Sequence, residues 1–170
     1  MGISFVVDSN AGKLARWLRM IGYDTLFFRD IDDGQLVELA LREGRVLVTR
    51  DTQIARRRVA ENGSLRVVLT RDDDPRRQLR HVMQELGLDW QGTEFSRCLE
   101  CNRPLAPRGP EEVRDLVPPF VFRTQARYTQ CPSCGRVYWH GTHWQSMKRA
   151  LEEIRAGTPG LPRCPGADRG

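Results

Sequence analysis

The chain has 170 residues, 39% of them apolar and 29% charged, with a formal net charge of +5. That suffices to bury one full domain with a small one beside it, while no apolar run approaches the roughly 20 residues that span a bilayer. The amino terminus lacks a basic segment followed by a long apolar one, so membrane partners and secretion are disfavoured and the expected location is cytoplasmic.

Ile3, Phe5, Val6 and Val7 form a β-branched and aromatic run that predicts a buried strand over 3–8, ending on Asp8. Leu14, Trp17, Leu18 and Ile21 then recur at the spacing of one helix face, predicting a helix over 11–21 that Gly22 terminates. A short strand follows in Thr25 to Phe28, then an acidic loop, Arg29 to Asp33. The next helix, Gln35 to Glu43, is started by Asp32 or Asp33 and stopped by Gly44. A strand over 45–49 leads directly to Asp51, and Asp51 or Thr52 opens a helix to about Asn62. Leu65 to Leu69 is a fourth strand. Asp72-Asp73-Asp74-Pro75 then starts a helix that continues to Gly87, because Pro at the first helical position has no amide to leave orphaned. Four strands alternating with four helices over residues 1–90 imply an α/β fold, a parallel sheet with helices on both faces.

The pattern changes near Trp90. From Arg97 to Trp144 the chain is rich in Pro, Cys, Arg and aromatic residues, with β-like pieces at Phe120-Val121-Phe122 and Arg136 to Trp139. So little apolar surface predicts that a metal holds the segment together. A closing helix, His143 to about Ala156, completes a second unit over residues 91–156. The Gly/Pro-rich stretch 157–170, which contains Cys164, is expected to be a disordered tail.

Cys98-Leu-Glu-Cys101 and Cys131-Pro-Ser-Cys134 carry the strongest chemical signal. Each pair is followed by a residue that tolerates positive φ, Asn102 or Gly135, so the backbone can turn its amides toward the sulfurs. Two such turns facing each other make the tetrahedral set of four thiolates that a closed, structural zinc site requires. His140 and His143 lie close by, but four thiolates complete the shell.

The acidic residues form the second constellation. Asp8, Asp33, Asp51 and Asp74 each stand where a helix could use a capping side chain. Capping does not explain why strand ends on one edge of the sheet finish in carboxylates. In an open α/β sheet ligands bind beyond the carboxyl ends of the strands, where Asp8 and Asp51 would meet. Carboxylates brought together there suit Mg²⁺ or Mn²⁺, which activate water and clamp a phosphodiester without any nucleophilic side chain. No Ser or Cys nucleophile motif, Walker-type loop or dinucleotide fingerprint is present. Lys13, Arg16 and Arg19 follow Asp8, Arg50 adjoins Asp51, and Arg56 to Arg58 come next, all chemically suited to phosphate. Arg123, Arg127, Tyr128, Tyr138 and Trp139 offer a stacking surface for bases.

Asp8 with Gly12-Lys13-Leu14-Ala15-Arg16-Trp17-Leu18-Arg19, then Arg29-Asp30, Gly44-Arg45, Thr49-Arg50-Asp51, Ser96-Arg97-Cys98, Cys131-Pro-x-Cys134-Gly135, Tyr138-Trp139 and Gly141-x-His143-Trp144 together resemble the Mut7-C RNase family, over about residues 4 to 155. The resemblance implies a PIN-like nuclease domain over 1–90 followed by a zinc ribbon, and metal-dependent hydrolysis of RNA. By position it makes Asp8 and Asp51 acidic site residues and Lys13 and Arg16 the basic helix beside them, with Asp33 and then Asp30 as the third acidic position. Ser9-Asn10-Ala11 occupies a segment usually more apolar in that family, and Gly34 stands where another acid is frequent. The expected function is a ribonuclease with structural Zn²⁺ and catalytic Mg²⁺ or Mn²⁺, acting on RNA. The competing expectation is a non-catalytic RNA-binding protein with a degenerate acidic site.

Overall fold

The structure is a computed structural model that describes residues 2–89 and 92–157. The expected tail over 158–170, with Cys164, lies outside the described residues, as does Trp90. Strands β1 (Phe5–Val7), β2 (Thr25–Phe27), β3 (Val46–Thr49) and β4 (Val67–Leu69) pair in parallel in the order β2-β1-β3-β4. Helices α1 (Gly12–Met20), α2 (Asp33–Glu43) and α5 (Pro75–Leu86) cover the sheet, so the expected α/β architecture with a parallel sheet is present. Alternate strand residues point to opposite faces. Phe5, Val7 and Val48 join Leu14, Leu18, Leu79 and Val82 in one core cluster, while Val6 and Leu47 join Leu36, Ala40 and Ile54 in another.

The order of the strands fixes where a ligand can go. From β1 the chain moves outward to β2, then crosses back to place β3 on the other side of β1, so the direction of winding reverses between β1 and β3. The crevice beyond the carboxyl ends of those two strands lies between Asp8 and Asp51.

Where one helix is predicted from Asp51 to Asn62, there are two short ones, α3 (Thr52–Ala55) and α4 (Arg58–Glu61), with Arg57 extended between them. Ile54 and Val59 both pack against the Leu36 and Leu47 side of the sheet. Five residues apart on one continuous helix they would point about 140° apart, so the break lets both be buried. A single turn of 3₁₀ helix, Ser9–Ala11, precedes α1.

Beyond residue 92, β5 (Ala106–Arg108), β6 (Tyr128–Gln130) and β7 (Val137–Trp139) form a three-stranded antiparallel sheet. Two short helices, α6 (Pro110–Val113) and α7 (Pro119–Thr124), are inserted between β5 and β6. Phe120-Val121-Phe122 is thus helical rather than β-like. Pro119 occupies the first turn, where its missing amide costs nothing, and the helix turns Val121 and Phe122 onto Val113, Val117 and Tyr128 while leaving Phe120 exposed. The segment therefore owns a small apolar cluster that its composition did not reveal. Helix α8 (Thr142–Ala156) packs on α5, and its Leu151 and Ile154, with Leu99, join the same core cluster as Phe5 and Leu14.

Gly22, just after α1, marks a close approach. Its φ is +97°, and a Cβ there would stand 2.5 Å from the carbonyl oxygen of Thr93, so only glycine lets the chain after residue 92 lie against the end of α1. Thr93 Oγ1 donates to Ile21 O at 2.8 Å and Phe95 N–H to Met20 O at 2.7 Å, closing the seam.

Candidate functional site

Two clusters of ligand-bearing side chains stand at different places on this frame. The first is the cysteine cluster. Both hairpins are built alike: Cys98 N–H bonds Arg103 O and Asn102 N–H returns to Cys98 O, while Cys131 N–H bonds Arg136 O and Gly135 N–H returns to Cys131 O. Asn102 and Gly135 have φ of +63° and +72°, as their positions after each pair predict. The sulfurs of Cys98, Cys101, Cys131 and Cys134 lie within 4.8 Å of one another, and the four can hold a metal ion. Although burial pushes the Cys98 thiol up, hydrogen bonds from the Tyr138 hydroxyl and from backbone amides bring it down to about 7. Cys101 is pushed up to about 12 by its hydrogen bond with Cys134, by burial and by the neighbouring sulfurs. Crowded thiols share protons in this way, and a cation relieves them by displacing those protons.

The first hairpin is clamped to the parallel sheet. Arg19 in α1 is 6% exposed and donates from Nε to Thr25 O at 2.9 Å and from one terminal nitrogen to Leu99 O and Glu100 O at 2.8 and 2.9 Å. Asn102 Oδ1 accepts Thr25 N–H at 2.9 Å, and its amide nitrogen donates to Asp24 at 2.8 Å. Burial raises the Asp24 carboxyl, but hydrogen bonds from Arg45 and Asn102 and the charges of Arg45 and Arg97 outweigh it and hold Asp24 below the usual carboxylate range. Sequence reasoning placed Arg19 on the basic face of its helix. The signal that it is buried is its position four residues after Ala15, on the apolar stripe.

The second cluster is at the strand tips. Asp8 is 4% exposed, and one carboxylate oxygen accepts from Thr49 Oγ1 at 2.8 Å and from Asn10 Nδ2 at 3.2 Å. Its other oxygen accepts from Ser9 Oγ at 3.1 Å. Thr49 Oγ1 in turn accepts Asp51 N–H at 2.9 Å, so one hydroxyl links the two acidic strand ends. Asp51 caps α3 by accepting from Gln53 N–H at 2.7 Å, and Asp74 caps α5 likewise. Asp32, not Asp33, caps α2. Asp8 makes no capping bond, so the reason for its place is not the helix. Thr70, at the end of β4, has a buried hydroxyl without a partner, and its N–H bonds Thr49 O. Thr49, Ser9 and Asn10 were not singled out from sequence as partners of Asp8.

The remaining predicted residues stand around these tips. Asp33 is 3.7 Å from a guanidinium nitrogen of Arg57, and Asp30 is exposed on the loop before α2. Lys13 is exposed in the first turn of α1, and Arg50 is paired with Asp73. Arg16 is paired with Glu100 at 3.1 Å, on the side of the cysteine hairpin. Among the described residues the four cysteines are the only set of three or more metal-binding side chains gathered within 4.8 Å, so Asp8, Asp33 and Asp51 are not so gathered. Among the described residues no helix is long and apolar enough to cross a membrane.

A family model described as the Mut7-C RNAse domain matches residues 3–151. No curated protein and no solved structure matches the chain.

Proposed function

Since the chain belongs to the Mut7-C RNAse domain family, we propose that it is a metal-dependent ribonuclease that hydrolyses RNA phosphodiester bonds beyond the carboxyl ends of β1 and β3. The observation that carries this reading is Asp8, a buried carboxylate at the reversal point of the sheet, tied through the Thr49 hydroxyl to the backbone of Asp51. Asp8 is buried without capping a helix, and Ser9, Asn10 and Thr49 all donate to it, which supports a functional rather than a structural role. Mg²⁺ keeps several waters and is commonly held by one or two carboxylates plus substrate phosphate, so Asp8 and Asp51 with neighbouring hydroxyls fit it as a donor set. The chemistry Mg²⁺ or Mn²⁺ supplies when bound is Lewis-acid activation of water and of the phosphoryl oxygen.

The chain's own residues do the rest. Thr49, Ser9 and Asn10 fix the orientation of the Asp8 carboxylate. Asp33 and Asp30 add negative charge on the loop and first turn of α2. Lys13 and Arg50 position the phosphate, and Arg16 can join them because its exposed pair with Glu100 is worth no more than about 1 kcal/mol.

Residues 1–90 are read as a PIN-like nuclease domain and 91–156 as a zinc ribbon with its closing helix. Zn–S bonds of about 2.3 Å put tetrahedral sulfurs about 3.8 Å apart. Cys98 and Cys134 sulfurs stand at 3.8 Å, which supports Zn²⁺ in a closed, structural role. The protein is placed in the cytoplasm.

The test is cleavage of labelled single-stranded and hairpin RNAs, with and without Mn²⁺, by the wild type and Asp8→Asn. Cutting by the wild type alone, and only with metal, is expected. No cutting by the wild type at any Mn²⁺ or Mg²⁺ concentration overturns the reading. One observation favours a second reading, an RNA-binding protein without activity: both Asp8 oxygens are already occupied by protein donors and no third carboxylate comes within reach. Equal RNA binding by both proteins, with no cutting, would support it.

A further inference from the structure

A concavity of about 810 Å³ lies between the small antiparallel sheet, the first turn of α8 and the segment 94–109. Its walls carry Trp139, Tyr138, Trp144, Phe95 and His140. The aromatic groups are already ordered: His140 stacks on Trp144 with ring centroids 4.0 Å apart and planes 17° apart, and Phe95 supports Trp144 from 5.1 Å. His140 is exposed, so a further ring can extend this stack on its outer face. The Trp144 Nε1 is buried and has no hydrogen-bond partner. Charge at the walls is one-sided, with Arg97, Arg108 and Arg127 against the single acid Glu94. Arg97 and Arg108 are spent on protein partners, whereas Arg127 is exposed at the rim.

Aromatic platforms beside a cation suit one class of ligand best, an unstacked nucleobase with its phosphate, because every base has a face to stack and every phosphate a charge to pair. An apolar peptide would gain nothing from the arginine, and a duplex would keep its bases out of reach. We propose that this concavity is a base-stacking site for single-stranded RNA, in which His140 and Trp139 receive a base and Arg127 its phosphate. The inference rests on the ribonuclease reading for its ligand.

The site is remote from the acidic tips. Phe95 is bonded to Met20, in the last turn of α1, whereas Asp8 precedes the first turn of that helix. Nine helical residues put these ends roughly 13 Å apart. A strand held in the concavity must therefore span at least that distance to be cut, so the site selects RNAs long enough to reach both.

The test is binding of a labelled eight-nucleotide RNA to the full-length, zinc-loaded chain by fluorescence anisotropy, with cleavage under Mn²⁺ measured in parallel. His140→Ala is expected to weaken binding about tenfold, as one lost base stack does, and His140→Tyr to restore it. Arg127→Glu should weaken binding and lower its salt dependence by roughly one phosphate contact. Both residues are exposed, so these variants should fold, and unchanged thermal melts would check it. RNA with abasic positions should bind the wild type as weakly as intact RNA binds His140→Ala, and dinucleotides should not distinguish the proteins. If His140→Ala and Arg127→Glu bind as the wild type does while the wild type cuts, the stacking site is wrong and the ribonuclease reading stands. If the wild type neither binds nor cuts RNA, both fall.

Discussion

At the cysteine cluster four soft ligands come from two hairpins of like construction, with backbone amides, the Tyr138 hydroxyl and the Arg19 guanidinium close to them. At the strand tips two carboxylates come from strands separated by forty residues of chain, and the donors around Asp8 belong to the protein itself. The first arrangement keeps protons on its crowded thiols until a cation displaces them. At the second, hydrogen bonds from Ser9, Asn10 and Thr49 satisfy the buried Asp8 side chain without a metal. The four clustered sulfurs can hold a metal ion, whereas the strand-tip carboxylates are not gathered in that way, and the two regions differ in that respect.

The sharpest break of the comparison is Cys131→Ser. With one sulfur of four removed from a buried position, metal content should fall to near zero and residues 97–139 should lose ordered structure, measured by metal analysis and circular dichroism. No comparable loss should follow Asp8→Asn, whose melting should stay close to that of the wild type. If Asp8→Asn unfolds the chain instead, the strand tips are structural too and the contrast fails.

Arg19→Met comes next. It removes three charge-assisted hydrogen bonds to carbonyls, each worth about 1.5–3 kcal/mol with partial overlap, so a loss of about 3 kcal/mol or more in urea unfolding is expected. Two of those carbonyls belong to the first cysteine hairpin, so in the Cys131→Ser background the effect should shrink. Equal effects in both backgrounds would mean that the clamp and the metal cluster are independent.

Thr49→Val tests the other side. Stability should fall by about 1–2 kcal/mol, since the Asp51 amide loses its partner and one Asp8 oxygen keeps only Asn10. Cleavage should fall by well over the small fraction that unfolds, because the carboxylate loses its orientation. An unchanged rate would remove Thr49 from the site.

The smallest effect concerns Asp24. Its carboxyl lies below the ordinary value when folded, so its contribution is present above the unfolded value, near pH 4, and is lost as pH falls through the folded one. The stability gap between wild type and Asp24→Asn should be at most about 1 kcal/mol at pH 7, given that a third of the side chain is wet, and should close in acid. A gap constant with pH would show that packing, not charge, makes the difference.

Much of this was legible from local pattern. Strand runs such as Phe5 to Val7, the Asp-Pro start of α5 and the glycine stops after α2 and α5 depend on neighbours within a few residues, and the two cysteine pairs announce themselves by spacing. What escaped depends on contacts between distant segments. The break at Arg57 is decided by a surface that Ile54 and Val59 share with α2 and β3, and α7 by an apolar cluster assembled from β6, α6 and the turn after it. The strand-tip cluster was half legible. Asp8 and Asp51 could be placed because strand ends can be counted, but Thr49 as their link could not, since it needs the register of β1 against β3.

Thr25 carries a consequence of its own. It lies on β2, an outer strand of the parallel sheet, where an unpaired amide and carbonyl would invite another chain to add itself. Asn102 of the cysteine hairpin takes the amide and Arg19 of α1, itself bonded to that hairpin, takes the carbonyl, so the two together cover the edge at Thr25. Stripped of what binds its thiols, the chain is expected to reveal that edge beside Leu26, Phe27 and Phe28. The first sign of metal starvation would then be clumping of otherwise folded molecules, visible by light scattering.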